Sequence, residues 1–142
     1  MTGTRRMWTR VVLAAYAAAL AVVSLLPSGS QAPGGWDASI SPGLQNLLHV
    51  PVYAGLVFLA AWAVPAARRW GGLALLAAVC CACGVALEFA QGYIPGRTGT
   101  ATDALLNAAG AVLGLLAFWA VACLRRARAK RTRPCAAEGS PA

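Results

Sequence analysis

Seven polar side chains in this sequence have types and spacings that could do chemistry. Glu88 and Gln91 are three residues apart, Asp103 and Asn107 four apart, and His49 and Tyr53 four apart. Each pair therefore shares one face if its segment is helical. Arg97 falls between Gln91 and Asp103. A carboxylate beside an imidazole can exchange protons with a bound molecule. An arginine can hold a phosphate or carboxylate through two parallel hydrogen bonds. These residues stand out because charge is scarce: the 142-residue chain is 59% hydrophobic and 11% charged, against about a quarter charged in an ordinary soluble domain.

The elements that must position them are apolar. Four runs stand out: Met7–Leu26, Leu47–Val64 (ending at Pro65), Gly72–Ile94 and Ala104–Leu124. At about 1.5 Å per residue each is long enough to cross a hydrocarbon core of about 30 Å. In lipid the backbone must satisfy its own hydrogen bonds, so the runs must be helices. The expected fold is all-α, an integral membrane four-helix bundle over residues 1–124. The first run could alternatively be a signal peptide, but its apolar segment is long for that role, and a retained anchor is favoured.

Lys and Arg positions set the expected orientation. Arg5, Arg6 and Arg10, then Arg68 and Arg69, then Arg125, Arg126, Arg128, Lys130, Arg131 and Arg133 all fall on one side of such a bundle; Arg97 alone falls on the other. Both termini are therefore expected in the cytoplasm. Trp8, Trp62, Trp70 and Trp119 fall near the same side, as an interfacial aromatic belt would. Residues 125–142 read as a basic, disordered cytoplasmic tail that touches anionic lipid. The net charge of +8 is thus a topology signal, and no aromatic–basic interleaving points to nucleic acid. The cysteines Cys80, Cys81, Cys83 and Cys123 lie in apolar runs and read as small packing residues. Adjacent cysteines on a helix point apart, so "CCAC" makes a poor metal site. No metal and no cofactor is expected.

This topology gathers the seven polar residues at the outer end. Gln91 and Glu88 close the third helix, Asp103 and Asn107 open the fourth, His49 and Tyr53 open the second, and Arg97 occupies the turn. Burying a carboxylate in a span costs a few kcal/mol or more, which pairing of Arg97 with Glu88, Asp103 or both would offset. Pro95–Gly96 should end the third helix, and Thr102 or Asp103 can cap the fourth. Capping could be the whole role of Asp103, and the cluster could be a network that only fixes helix register. The cost of so many polar groups in so apolar a chain favours a binding role for His49, Tyr53, Glu88, Gln91, Arg97, Asp103 and Asn107. Gly110 and Gly114 form a G-x-x-x-G that permits close helix approach.

"HVPVY" at His49–Tyr53, "EFAQGYIPGR" at 88–97 and "DALLNAAGAVLG" at 103–114 resemble the VanZ-like family of bacterial membrane proteins, named for a teicoplanin-resistance protein. The resemblance covers residues 45–118. It implies a small multi-spanning protein of the cell envelope, and its best-known member is associated with reduced glycopeptide susceptibility. Relatives often carry an Asp-Lys pair four and three residues before the helix-two His, where this chain has Gln45 and Asn46.

Three functions follow as expectations. The first is a non-enzymatic protein of the bacterial plasma membrane that binds an amphiphile, such as a lipid-linked cell-wall precursor or a lipoglycopeptide, at the outward cluster. The second is an intramembrane hydrolase using Glu88 and His49, although no nucleophile elbow, H-E-x-x-H or aspartate-rich metal motif is present; no residue is assigned as catalytic. The third is a proton-coupled carrier, which would need a homo-oligomer, with the Gly110/Gly114 face as its contact.

Overall fold

A computed structural model describes residues 3–27, 41–64, 69–94, 97 and 100–131. They form four helices and, among the described residues, no strand: α1 (Gly3–Leu25), α2 (Pro42–Ala63), α3 (Trp70–Gln91) and α4 (Ala101–Arg131). All four are long and apolar enough to cross a membrane. The helices alternate in direction. One end of the bundle gathers the end of α1, the start of α2, the end of α3 and the start of α4. The other carries the arginines of α1 and of the end of α4.

Each element starts where local chemistry allows it. Ser41 caps α2, its hydroxyl accepting from the Leu44 N–H at 3.3 Å, and Pro42 takes the first helical position. There its missing N–H is no loss. Helix α2 thus begins at Pro42, ahead of the apolar run expected from Leu47. Thr100 caps α4, accepting from the Asp103 N–H at 3.2 Å. This replaces the expected caps, Thr102 and Asp103, which lie inside the helix. Helix α3 stops at Gln91, and the turn bonds Tyr93 N–H to Ala90 O and Ile94 N–H to Gln91 O carry the chain onward. Pro95 and Gly96, expected to end it, lie outside the described residues. Helix α4 also continues to Arg131, so residues 125–131 are helical, contrary to the expected disordered tail; residues 132–142 lie outside the description.

The interior is narrow. Tyr53, Leu56, Val57, Cys80 and Ala111 form one buried cluster, and Ala61, Leu73 and Phe118 a second. Large apolar side chains instead face outward, including Leu75, Phe89, Leu105 and Leu116, each more than half exposed. A soluble monomer rarely exposes so much apolar surface; a lipid-solvated bundle does. With no hydrophobic gain from helix–helix contact in lipid, close packing and hydrogen bonds must hold the helices together.

Helices α2 and α4 form the most extensive contact. A Cβ on Gly110 would sit 2.5 Å from Val50 O, and one on Gly114 would collide with Ala54 O. The G-x-x-x-G face is therefore occupied within the chain, against α2, rather than left free as the contact for an oligomer. Helix α1 has no buried residue and rests on α2 and α3. Midway along it, the Tyr16 hydroxyl donates to Val52 O at 2.9 Å, and Gly55 makes room for that ring. At the basic end, the Arg125 guanidinium lies 4.5 Å from the Trp62 ring centre, and Trp62 meets Phe118 edge-on. These groups border a cleft of about 430 Å³.

Candidate functional site

The polar end is assembled from three helices. His49 stands two turns into α2, and Tyr53 lies one turn deeper on the same face, its ring parallel to the imidazole with centres 6.4 Å apart. Glu88 comes from the last turn of α3. Asp103 and Asn107 come from the first two turns of α4. Glu88, Asp103 and Asn107 are 7%, 4% and 1% exposed, while the His49 side chain keeps 22% of its surface open. The imidazole is thus the exposed edge of an otherwise enclosed group.

The contacts within this group are short. His49 Nδ1 is 2.8 Å from Asn107 Oδ1 and 3.5 Å from Glu88 Oε1. A ring N–H at Nδ1 donates to the amide oxygen. Asp103 accepts from the Thr100 hydroxyl at 2.7 Å through Oδ2, so cap and carboxylate fix one another. An acid in the first turn also suits the positive end of the α4 dipole. Gly84 of α3 supplies the space: a Cβ there would fall 2.9 Å from the Tyr53 hydroxyl and 3.0 Å from Asn107 Nδ2.

The group is not closed. Glu88 Oε2, Asp103 Oδ1 and Asn107 Nδ2 are buried with no hydrogen-bond partner among the described residues. Each such atom carries a desolvation cost of about 1–3 kcal/mol, more for a charged group. One donor atom from each of His49, Glu88 and Asp103 lies within 4.8 Å of the others. The sequence reading assigned no metal ligand; these three donors come from three different helices and share no spacing motif.

Two of the seven residues take a different course. Arg97 was expected to pair with Glu88 or Asp103. Instead its Nε donates to Leu26 O at 2.8 Å and its terminal nitrogen to Val23 O at 2.9 Å. No ion pair joins it to either carboxylate among the described residues. Gln91 likewise donates to Ser24 O at 3.0 Å. Both satisfy carbonyls that the end of any helix leaves open, here those of α1. The structure thus unites His49, Tyr53, Glu88, Asp103 and Asn107 and sets Gln91 and Arg97 beside them as ties to α1. Sequence reasoning missed Thr100, Gly84 and Tyr16. A threonine three residues before an acid at a helix start is a usable signal for the first, and a lone glycine in an apolar helix for the second.

No curated protein and no solved structure matches the chain. A family model described as VanZ/LLP1 matches residues 8–123, which take in the spanning parts of all four helices. With this match over most of its length, the chain is a multi-pass membrane protein belonging to the VanZ/LLP1 family.

Proposed function

We propose that the protein binds an envelope amphiphile in the bacterial plasma membrane, with the polar end of the bundle facing outward. The headgroup meets the His49–Glu88–Asp103–Asn107 group and the acyl or prenyl chain lies along the apolar exterior. The observation that carries this reading is the set of buried atoms without partners among the described residues, Glu88 Oε2, Asp103 Oδ1 and Asn107 Nδ2, behind the open edge of His49. Two of these accept and one donates. A headgroup rich in hydroxyl and amide groups can supply both complements, as a lipid-linked wall precursor or a lipoglycopeptide does. With two Arg97 nitrogens bound to α1 carbonyls, the carboxylates, imidazole and amide supply recognition, so headgroup hydroxyls and N–H groups matter more than an anionic group.

Binding of a labelled lipid-linked wall precursor to the purified protein tests this. Glu88→Gln and Asp103→Asn should each weaken it by roughly tenfold, the equivalent of one charged hydrogen bond at about 1.5–3 kcal/mol. Unchanged affinity in both variants would overturn the reading. Teicoplanin susceptibility supplies the cellular counterpart. Protection by the wild-type protein, lost in Glu88→Gln at equal membrane abundance, would connect the group to glycopeptide resistance.

A further inference from the structure

We propose that His49, Glu88 and Asp103, with the Asn107 amide oxygen, hold a divalent transition-metal ion. This goes beyond amphiphile binding, because the ion needs no amphiphile to bind.

The spacing is that of a ligand shell. Ligands at about 2.0–2.2 Å from one ion sit roughly 3–4.4 Å from each other. His49 Nδ1 is 2.8 Å from Asn107 Oδ1 and 3.5 Å from Glu88 Oε1, and donors from His49, Glu88 and Asp103 all lie within 4.8 Å of one another. Tetrahedral ligands at these bond lengths stand roughly 3.3–3.6 Å apart, so the 2.8 Å His49–Asn107 pair must open by about half an ångström, and any pair near the 4.8 Å limit must contract by about 1 Å, to complete the shell.

Charge and hydrogen bonding point the same way. Two carboxylates buried close together in a membrane span repel one another and are costly to desolvate. The one arginine at this end is turned to the α1 carbonyls. An ion of charge +2 neutralises the pair. The same two side chains, each more than nine-tenths buried, also carry oxygens with no partner among the described residues, Glu88 Oε2 and Asp103 Oδ1.

The proton balance is simple. Both carboxylates bind ionised. The neutral imidazole moves its proton from Nδ1 to its other nitrogen, Nε2, so the Nδ1 lone pair faces the ion in place of the hydrogen bond to Asn107.

The donor set selects the metal class. One imidazole with three oxygens suits Zn²⁺, Co²⁺ and similar ions better than Mg²⁺ or Ca²⁺, which prefer all-oxygen shells.

The test uses the full chain in detergent, stripped with chelator and then titrated with Zn²⁺, Co²⁺ or Mg²⁺ alone. One Zn²⁺ or Co²⁺ should bind per chain, with Mg²⁺ at least roughly tenfold weaker. Bound Co²⁺ should show visible d–d absorption without the sulfur charge-transfer band that Cys80, Cys81 or Cys83 would give. Glu88→Gln and Asp103→Asn should each lower affinity by about tenfold or more, while Leu105→Ala, on the exposed face of α4, should bind as wild type does. The spectrum of the wild-type protein keeps the test decisive even if a variant fails to fold. Absence of a stoichiometric ion from the wild-type protein, a thiolate spectrum, or unchanged affinity in both carboxylate variants would overturn the proposal.

Discussion

At one end of the bundle two sets of polar residues lie side by side and use their hydrogen-bonding groups in opposite ways. Gln91 and Arg97 reach across to Ser24, Val23 and Leu26 and occupy the open carbonyls at the end of α1. His49, Glu88, Asp103 and Asn107 turn toward each other and leave two carboxylate oxygens and one amide nitrogen without partners among the described residues. Both sets come from the same few turns and consist of similar residue types. The difference lies in what is within reach. A helix end offers acceptors that a guanidinium and an amide can saturate. A meeting of two carboxylates, an imidazole and an amide offers too few donors. A network whose only task was to fix register would be expected to close, which is why the proposed function assigns the site to the open set and leaves the closed set as a tether.

The largest effect should come from a change that breaks the packing that holds the open set together. Gly114→Ala places a Cβ against Ala54 O, a backbone atom that cannot swing aside. The α2–α4 contact must open, and overpacking of this kind costs about 1–3 kcal/mol or more. Denaturant unfolding in mixed micelles should show that loss, together with loss of binding at the polar end. Full retention of both would mean that the close approach is not what aligns His49 with Asp103 and Asn107.

Arg97→Ala should separate the sets. It removes two charge-assisted hydrogen bonds, together worth about 1.5–3 kcal/mol, with the lower figure expected because the bond to Val23 is exposed. Hydrogen exchange should rise over the last turn of α1 and stay at the wild-type level around Asn107. Exchange that rises equally in both places would join the tether to the site and dissolve the distinction.

Much of this arrangement was legible in the sequence, and the misses have physical reasons. Four apolar runs gave four helices, and the three- and four-residue spacings put Glu88 with Gln91 at the end of α3 and Asp103 with Asn107 at the start of α4. Boundaries were displaced where capping extends a helix past its apolar run. Ser41–Pro42 starts α2 before Leu47, and Thr100 starts α4 before Ala104. Arginine and lysine are good helix formers and suit the negative end of the dipole, which carries α4 on to Arg131. The partner of Arg97 was not legible because opposite charge suggested Glu88 or Asp103. The stronger demand came from α1, whose last turn has no basic residue of its own. The convergence of metal-type donors from three helices was invisible for the same kind of reason: it depends on three-dimensional registry, which Gly84, Gly110 and Gly114 set by their lack of a side chain.

The smallest effect belongs to Thr100, and it is the most discriminating. Its hydroxyl accepts from the Asp103 N–H and donates to Asp103 Oδ2, so it both caps α4 and aims a carboxylate of the site. Thr100→Ala should cost about 1 kcal/mol as a lost cap, and Thr100→Ser should restore it. The two roles part company in binding. If the hydroxyl only caps, affinity at the polar end should hold while stability falls. If it also orients Asp103, affinity should fall with stability and recover in the serine variant. The geometry favours the second outcome. Without the hydroxyl, neither Asp103 oxygen would have a hydrogen-bond partner among the described residues, and the side chain would be free to rotate away from His49 and Glu88. A helix cap would then be the point at which the folding of α4 and the shape of the site are set by one hydroxyl group.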